Sequence, residues 1–412
     1  MTADDASAPE APVPPYTGVA AARLTLEDLE NIALASNPTL AQAGMAVQAA
    51  QGVYVQAGLY PNPTLGYLAD EIGNDGAQGL QGGFIAQEIV TAGKLRLARA
   101  VAGHELRQAQ YAWEAQRRRV MNDVRAGYHE VLLAQKKVEV HKQLLDIEEH
   151  TLRSSQQLRE AKEVSEVDVL QARVEAENAA LNLGEAREAH QAAWRRLAAV
   201  LGRPEMEPVA LVGDVTQGLP AITWEESLAR LLTQSPELAH ARAGLQRAQC
   251  ELARQCAERI PNFEMGSAVK YDTATQFAVV DLELGVPLTI FNRNQGNILR
   301  AQAALAAAHQ EVRRVELDLR HRLAAAYEQY VNARRRAEAY TKSILPNARK
   351  SLDLTSVGYR EGEFPYLTLL TAQRTFYDIT LKYLSSLEEL WARSVELEGL
   401  LLRGGLERVE QP

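Results

Sequence analysis

The sequence is poor in the residues that build compact mixed cores and disulfide frameworks. Only 6% of its 412 residues are aromatic, and it contains two cysteines, Cys250 and Cys256. Their spacing within a helical stretch matches neither a disulfide framework nor a zinc site, so we expect incidental helix residues. Alanine, leucine, glutamate and arginine dominate instead, a bias that favours long helices.

Long apolar runs and a signal peptide are also missing. No stretch approaches the ~18 apolar residues of a membrane-spanning helix, and the start, Met1 to Asp5, is polar and acidic. If the protein is exported, we expect this sequence to be the mature form. Residues 1–23 are rich in proline and alanine, which predicts a disordered tail. The formal net charge of -9 argues against nucleic acid as a partner.

The chain contains two copies of one unit of about 200 residues. The segment LTLEDLENIALASNPTLAQAGMAVQAAQ from Leu24 resembles ITWEESLARLLTQSPELAHARAGLQRAQ from Ile222, and Pro61-Asn62 later matches Pro261-Asn262. We therefore predict a first repeat at 24–202, a linker at 203–222, a second repeat at 223–402 and a tail at 403–412.

Each copy predicts the same order of elements. Thr25 and Thr223 are helix caps followed by acidic residues, and a second helix begins near a proline. A long helix follows, from about Leu95 to Lys162, where no proline interrupts the pattern. At 1.5 Å per residue such a helix spans ~100 Å. The second copy repeats it from about Gln295, with a break expected at Pro346.

Four extended segments of alternating polarity lie between the short and long helices, at about 64–72, 80–90, 263–272 and 277–288. Each has about the length of a tilted strand that crosses a bilayer. One face would be apolar, and the other would line a lumen with Glu264, Lys270, Asp272, Asp281 and Glu283. Interfacial girdles would come from Tyr60, Tyr67, Phe84, Phe263, Tyr271 and Phe291. The alternation fits a soluble cap with one wet face equally well.

Four strands are too few to close a membrane barrel, for which ~8 is the practical minimum. An open strand edge is not tolerated in lipid. If these strands cross a membrane, several copies of the chain must share one barrel, and three copies would give twelve strands.

At the junctions between strand and helix, the sequence resembles the TolC-type outer-membrane factors, and within them the CzcC-like branch of heavy-metal efflux systems. The most specific match is VPLTIFNRNQGNILRAQAAL from Val286, and QEIVTAGKLRLARA from Gln87 is its counterpart in the first repeat. ILPNARKSLDLTSVGYREGEF from Ile344 and the run Leu370–Arg374 also match. The resemblance covers the chain from Leu24 to about Leu402.

The resemblance implies a mainly α fold with a membrane β-barrel portion. It implies a homotrimer in the bacterial outer membrane, with a twelve-strand barrel continued by a periplasmic α-barrel and the linker in an equatorial belt. Such a channel would contact outer-membrane lipid and conduct cargo passively. Its expected partners are a periplasmic adaptor and an inner-membrane RND-type pump, and metal cations are its expected cargo.

The resemblance also places a periplasmic gate at the helix turns near Val164 and Phe364. The family's gating tyrosine corresponds to Tyr359, its turn glycine to Gly362, and its gating arginine to Phe364, with Arg360 close by. Its acidic ring positions correspond to Thr368 and Thr371. The first repeat has Lys162 in place of the turn glycine. Closure there would rest on packing and on Glu166 and Asp168, although Asp168 also fits a helix N-terminal acid.

No catalytic constellation is visible, so an enzyme is not expected. The eight histidines are scattered without the i, i+4 spacing of a helical zinc pair, and we predict no metal site and no cofactor. A conducting channel must also release its cargo. Two alternatives stay open. One is a soluble tandem coiled-coil scaffold or adaptor, and the other is an outer-membrane channel for drug or protein export.

Overall fold

The structure, a computed structural model, describes residues 24–73 and 78–407. The predicted tail at 1–23 therefore lies outside the described residues, as does the end of the tail at 403–412. The first repeat forms α1 (Leu26–Ser36), α2 (Pro38–Gln56), β1 (Thr64–Asp70), β2 (Leu80–Ile89), α3 (Lys94–Glu160) and α4 (Glu166–Val200). The second forms α5 (Trp224–Gln234), α6 (Pro236–Ala257), β3 (Phe263–Asp272), β4 (Ala278–Gly285), α7 (Gln295–Ala339), α8 (Leu345–Arg360) and α9 (Tyr366–Glu398).

The helix starts follow the predicted capping chemistry. The Thr25 hydroxyl accepts from the Asp28 N–H, and the Asp28 carboxylate accepts from the Thr25 N–H, which completes a capping box. Thr223 caps α5 in the same way from its hydroxyl. Pro38 and Pro236 occupy the first position of α2 and α6, where a missing N–H costs nothing.

Two very long helices, α3 and α7, organise the helical part of the chain. α3 runs for 67 residues without interruption, and α2, α4, α6 and α9 all pack against it. Near the sheet the helices lie side by side in the order α2, α3, α6, α7, and farther away in the order α4, α3, α9, α8. No helix within residues 24–73 or 78–407 combines the length and apolar content of a membrane span.

The break expected at Pro346 is instead a π-helical turn, Tyr340–Ile344, that joins α7 to α8 without ending the helix. Leu345 N–H donates to the Tyr340 carbonyl, five residues back. Proline lacks an N–H, and its ring crowds the carbonyl four residues earlier. The wider turn accommodates that ring while the chain remains helical.

The four strands form one antiparallel sheet in the order β1-β2-β3-β4, so each repeat supplies one hairpin. β2 and β3 join the two hairpins, with Leu80 opposite Asp272 and Ile89 opposite Phe263. The predicted strand at 277–288 is shorter at both ends. Gly285 already pairs with Glu264, near the start of β3, and Pro287 carries no N–H for a ladder bond.

The linker between the repeats is fastened to the wall by aromatic side chains from four long helices. Each donates a hydrogen bond to a linker carbonyl: Tyr128 to Val212 (2.5 Å), Trp194 to Met206 (2.8 Å), Trp391 to Val215 (2.9 Å) and Tyr330 to Pro220 (2.7 Å). These carbonyls belong to irregular backbone that has no ladder of its own, so the side chains satisfy them. The hydrophobic core cluster includes Tyr128, Trp194 and Tyr330 together with Val215 of the linker.

The chain end after α9 returns to the first repeat through buried polar contacts. The Gln116 carboxamide donates to the Gly405 carbonyl (2.7 Å) and to the Thr39 hydroxyl (2.8 Å). Asn122 donates to the Gly399 carbonyl (2.9 Å). A Cβ at Gly399 would overlap the Asn122 carboxamide, so glycine permits this close approach. The last described residues therefore tie the second repeat to the first.

The turn that joins α3 to α4 and the turn that joins α8 to α9 share one backbone geometry but differ in sequence. At each turn an N–H bonds to a carbonyl five residues earlier, Glu163 to Leu158 (2.9 Å) and Glu363 to Gly358 (2.8 Å). The residue before each donor is left-handed, with φ of 78° at Gly362 and 64° at Lys162. This arrangement is a Schellman motif. Lys162 carries a Cβ in a conformation that favours glycine.

Replacing Lys162 by glycine should stabilise the first turn, because glycine adopts positive φ without steric cost. We expect the free energy of unfolding to rise by about 1 kcal/mol, measured by denaturant unfolding followed by circular dichroism. Lys162→Ala is the matched control, since alanine removes the charge and keeps the Cβ. Equal stability of the glycine and alanine variants would show that backbone strain at this turn is absent.

His129 should make stability depend on pH. Its ring stacks on Trp391 at 4.1 Å, and burial lowers its pKa from 6.5 to about 4. The unfolded chain therefore binds a proton that the folded chain does not, between these two pH values. The contribution of neutral His129 to the free energy of unfolding is fully present above pH 6.5. It is lost as the pH falls toward 4, and the loss is on the order of 3 kcal/mol in total.

His129→Gln should flatten this dependence between pH 6.5 and 5, measured by denaturant unfolding at each pH. The exposed His321, changed to Gln, is the control for the His-to-Gln substitution itself. A slope unchanged by His129→Gln would contradict the assignment.

Candidate functional site: the sheet face and the helical tips

The sheet has one apolar face that is open to the surroundings. The register places Leu65, Ile85, Val269 and Leu282 on this face, with neighbours of the same parity. Leu282 is 84% exposed and Leu65 is 81% exposed. Exposed apolar area on this scale marks an interaction surface rather than an ordinary wet face.

The opposite face carries a charged cluster that spans three strands. Lys270 of β3 places its ammonium 2.5 Å from the Asp281 carboxylate of β4 and 2.5 Å from the Asp70 carboxylate of β1. β2 lies between β1 and β3, and Gly82 is the residue opposite Lys270. A glycine there has no side chain to block the lysine on its way to Asp70. The cluster holds one positive and two negative charges.

The other predicted lumen carboxylates have different surroundings. Glu264 lies opposite Glu88, which accepts a hydrogen bond from the Asn262 carboxamide (2.6 Å). Glu283 lies opposite Gly266. Asp272 is at the end of β3, where it accepts from the Ala274 N–H (2.9 Å) and the Thr275 hydroxyl (2.5 Å). Asp272 therefore shapes the hairpin loop.

Phe84 was expected in an interfacial girdle on the apolar face, and this expectation was wrong. Phe84 lies opposite Ala268, so it shares the face of Lys270. Its ring covers Gly66 on β1, where a Cβ would overlap the ring. The side chains of a strand alternate between the two faces of the sheet. The face that Phe84 occupies is therefore fixed by the register of its strand.

The second helical tip brings the predicted gate residues into one small region. Phe364 packs its ring on Gly358, where a Cβ would overlap it. The Tyr359 ring lies 5.5 Å from the ring of Tyr366. Arg360 donates to the Ser356 carbonyl at 3.3 Å. These contacts all lie within the helical hairpin of α8 and α9, next to the turn at Gly362.

Thr368 and Thr371 line an open groove of about 440 Å³ between α8 and α9. The Thr371 hydroxyl donates to the Leu367 carbonyl at 2.9 Å, a bond to its own helix. The groove is also lined by Ser351, Thr355 and Thr375. Hydroxyl groups thus dominate the polar surface of this groove.

The first tip carries the two predicted acids. Asp168 forms a capping box with Ser165, accepting from its N–H (2.9 Å) and its hydroxyl (2.7 Å). These hydrogen bonds hold the pKa of Asp168 below its usual value. Glu166 is exposed and lies 3.9 Å from the Arg159 guanidinium. The capping box matches the helix N-terminal role that was the alternative for Asp168.

A charged triad that joins the two helical hairpins, α3–α4 and α8–α9, was not predicted from the sequence. The Arg374 guanidinium on α9 donates to the Glu148 carboxylate on α3 (2.9 Å) and lies 3.2 Å from Glu175 on α4. The side chain of Glu148 is only 4% exposed. Nearby, the Tyr366 hydroxyl donates to the Thr151 hydroxyl (2.8 Å). Arg374 lies in the run Leu370–Arg374, but nothing in the sequence identifies its partners.

Five of the eight histidines are half-buried. Burial lowers the pKa of His104, His141, His190 and His240, which keeps them neutral at pH 7. In the part of the chain that the structure describes, no three His, Cys, Asp or Glu side chains are grouped to hold a metal ion.

Comparison with known proteins gives consistent matches along the chain. The profile of the outer membrane efflux protein family matches residues 29–203 and 228–401. The cobalt-zinc-cadmium resistance protein CzcC of Cupriavidus metallidurans is 29% identical over 395 residues, which cover 95% of this chain and 93% of CzcC.

Several solved structures share the fold. A membrane protein from Pseudomonas aeruginosa gives a TM-score of 0.72 at 17% identity, with 91% of this chain and 93% of that chain covered. CusC gives 0.71 at 18% identity, with 92% of each chain covered. VceC from Vibrio cholerae gives 0.70 at 18% identity, with 92% and 96% covered. The expected mainly α fold with tandem repeats and a small sheet is therefore confirmed.

Arg374→Met should leave the Glu148 carboxylate buried without its cation. We expect a loss of roughly 2–3 kcal/mol in unfolding free energy, below the ~3–5 for a fully buried pair because the guanidinium is partly exposed. The double variant Glu148→Gln, Arg374→Met removes the charge as well and should recover most of the loss. Denaturant unfolding of both variants gives the measurement. A double variant as unstable as Arg374→Met would show that the loss does not come from the unpaired Glu148 carboxylate.

Proposed function

This chain belongs to the outer membrane efflux protein family, and we propose that it is the outer-membrane channel of a tripartite efflux system. In this function it conducts exported substrate passively from the periplasm to the exterior, and it catalyses no reaction. The observation that carries the proposal is the sheet, with one exposed apolar face, one charged face and an open edge on both β1 and β4.

Closure of the sheet requires further copies of the chain. Backbone N–H and C=O groups at an open edge have no partner in lipid, and each unpaired group costs several kcal/mol. A homotrimer joins the β4 edge of each copy to the β1 edge of the next and gives twelve strands. The apolar face then contacts outer-membrane lipid, and the charged face lines the lumen. The long helices continue the same tube as an α-barrel in the periplasm.

Heavy-metal cations are the proposed cargo. The support is the CzcC relative, whose name refers to cobalt, zinc and cadmium resistance. In the lumen, the cluster of Lys270 with Asp70 and Asp281 leaves one net negative charge per copy. A ring of net negative charge concentrates cations without binding them tightly, which suits conduction. No resident cofactor is needed for this function.

The helical tips are the proposed periplasmic mouth, where a periplasmic adaptor and an inner-membrane RND-type pump would connect. We infer that Tyr359, Phe364, Thr368 and Thr371 of the second tip form part of its gate. The triad of Arg374 with Glu148 and Glu175 would hold the two hairpins together behind it, because it joins α9 to α3 and α4. For Asp168 the capping role is the better supported one.

The two alternatives differ in what supports them. A soluble tandem coiled-coil scaffold has no use for two hairpins that expose an apolar face, and it would stay in solution without detergent. A channel for drug or protein export shares the architecture and differs only in cargo. The relative of 29% identity favours metal cations over these cargoes.

Conductance across a planar lipid bilayer tests the channel and its lumen together. The purified parent protein should form conducting pores, and Lys270→Met should make them more cation-selective. That change removes the positive charge and leaves the carboxylates of Asp70 and Asp281 unpaired. The reversal potential in a salt gradient gives the selectivity, and the shift should be larger at low ionic strength, where screening is weaker.

Lys270→Arg keeps the charge and serves as the matched control, with parental selectivity expected. A detergent-independent protein that forms no pores would refute the channel itself. Pores whose selectivity ignores Lys270→Met would instead place the cluster outside the conducting path.

A further inference from the structure

The turn between β2 and α3 is held by the second repeat of the same chain. The Thr91 N–H donates to the Asn262 carboxamide oxygen (3.2 Å), and the Thr91 hydroxyl donates to the Pro261 carbonyl (2.7 Å). The Lys94 ammonium donates to the same Asn262 oxygen (2.7 Å). Asn262 in turn donates to Glu88 at the end of β2 (2.6 Å). Pro261-Asn262 thus clasps the strand-to-helix turn beside it.

The chain contains a second set of the same parts. Pro61-Asn62 precedes β1 as Pro261-Asn262 precedes β3, and the FNRNQG turn at 291–296 leads from β4 into α7. Both turns end in a left-handed residue at the helix start, with φ of 66° at Gly93 and 60° at Asn294. The repeat therefore supplies two turns and two clasps.

Within one chain the second turn and the second clasp are far apart. The strand order places β1 at one edge of the sheet and β4 at the other. Pro61-Asn62 leads into the first edge strand, and the 291–296 turn leaves the opposite one. The only β1 that can lie beside β4 as β3 lies beside β2 is that of another copy.

Exposure of these parts agrees with their being a contact surface. Phe291 in the second turn is 89% exposed, Leu288 before it is 79% exposed, and Tyr60 beside the second clasp is 68% exposed. At the clasped junction, Ile89 at the end of β2 is 39% exposed and Val90 is half-buried. Among the described residues, the side chain of Asn62 makes no hydrogen bond, whereas that of Asn262 makes three.

We propose that Pro61-Asn62 of one copy clasps the turn at 291–296 of the neighbouring copy, as Pro261-Asn262 clasps the turn at 91–94 within the chain. The partner is a second copy of this chain, and the inference rests on the trimeric channel proposed above. It gives the FNRNQG turn a role as the subunit contact where the sheet meets the helices.

The donors required for this contact are present in the turn. Asn292 holds the position of Thr91, two residues before the helix-start residue. The Asn292 carboxamide oxygen already accepts from the Asn294 N–H (3.0 Å), which leaves the amide NH₂ as a donor. The Pro61 carbonyl accepts from the Gln87 carboxamide of its own chain (2.9 Å), and its second lone pair is the acceptor for Asn292. Gln295 holds the position of Lys94; its NH₂ donates to the Phe291 carbonyl (3.3 Å), and the second N–H of that group is the donor for Asn62. Proline and asparagine in the clasp supply the acceptors in both repeats.

Cysteine cross-linking tests the contact directly. In a Cys250→Ser, Cys256→Ser background, the pair Asn62→Cys and Asn292→Cys should give covalent dimers and trimers on non-reducing gels after mild oxidation. The matched pair Thr91→Cys and Asn262→Cys reports the clasp within one chain and should give only a monomer band. Each single variant should give no covalent trimer.

The oligomeric state of the parent protein in detergent is measured by native mass spectrometry. It distinguishes failure of the proposed clasp from failure of the proposed trimeric channel. A trimer in which the 62–292 pair stays unlinked, while the 91–262 pair closes, would overturn the clasp and leave the channel standing. A monomeric parent protein would overturn both. Covalent trimers from the 62–292 pair alone would support the clasp.

Discussion

Backbone hydrogen bonding at the two outer strands is the constraint from which the architecture follows. β1 and β4 each have one side without a strand partner, and the face between them is apolar and exposed. In water such edges are solvated, whereas in lipid they must be paired. One chain therefore cannot be a complete unit in a membrane. In the proposed barrel the long helices begin where the strands end, so they would surround the same axis as the strands.

The chain contains two copies of one unit, so corresponding positions of the two repeats have similar backbones but different side chains. The strand-to-helix turns use Gly93 in one repeat and Asn294 in the other, and the far turns use Lys162 and Gly362. Each of these four residues has a positive φ although the side chains differ. In the proposed trimer, the side chains would repeat three times around the ring, whereas the backbone would repeat nearly six times. Charged contacts such as Lys270 with Asp70 and Asp281 then distinguish positions that the backbone makes alike.

Local signals in the sequence predicted most of the fold. Thr25, Pro38 and their counterparts mark helix starts because capping and proline chemistry act over three or four residues. Alternation over 263–272 predicted β3 for the same reason. Long-range features were not predictable in this way. The partners of Arg374 lie on α3 and α4, and the parity of Phe84 depends on the sheet register, neither of which one segment encodes. The sequence predicted a break at Pro346, whereas the helix continues through a π-helical turn.

The π-helical turn before Pro346 has a mechanical consequence. α3 is an unbroken rod to its tip, whereas the helix of the second repeat has a joint where its hydrogen-bond ladder is irregular. Such sites are where long helices bend. α8 has 16 residues beyond the joint, a lever of ~24 Å at 1.5 Å per residue. Lateral force at the far end would deflect this lever first, so the two hairpins of one chain differ in stiffness although they match in length.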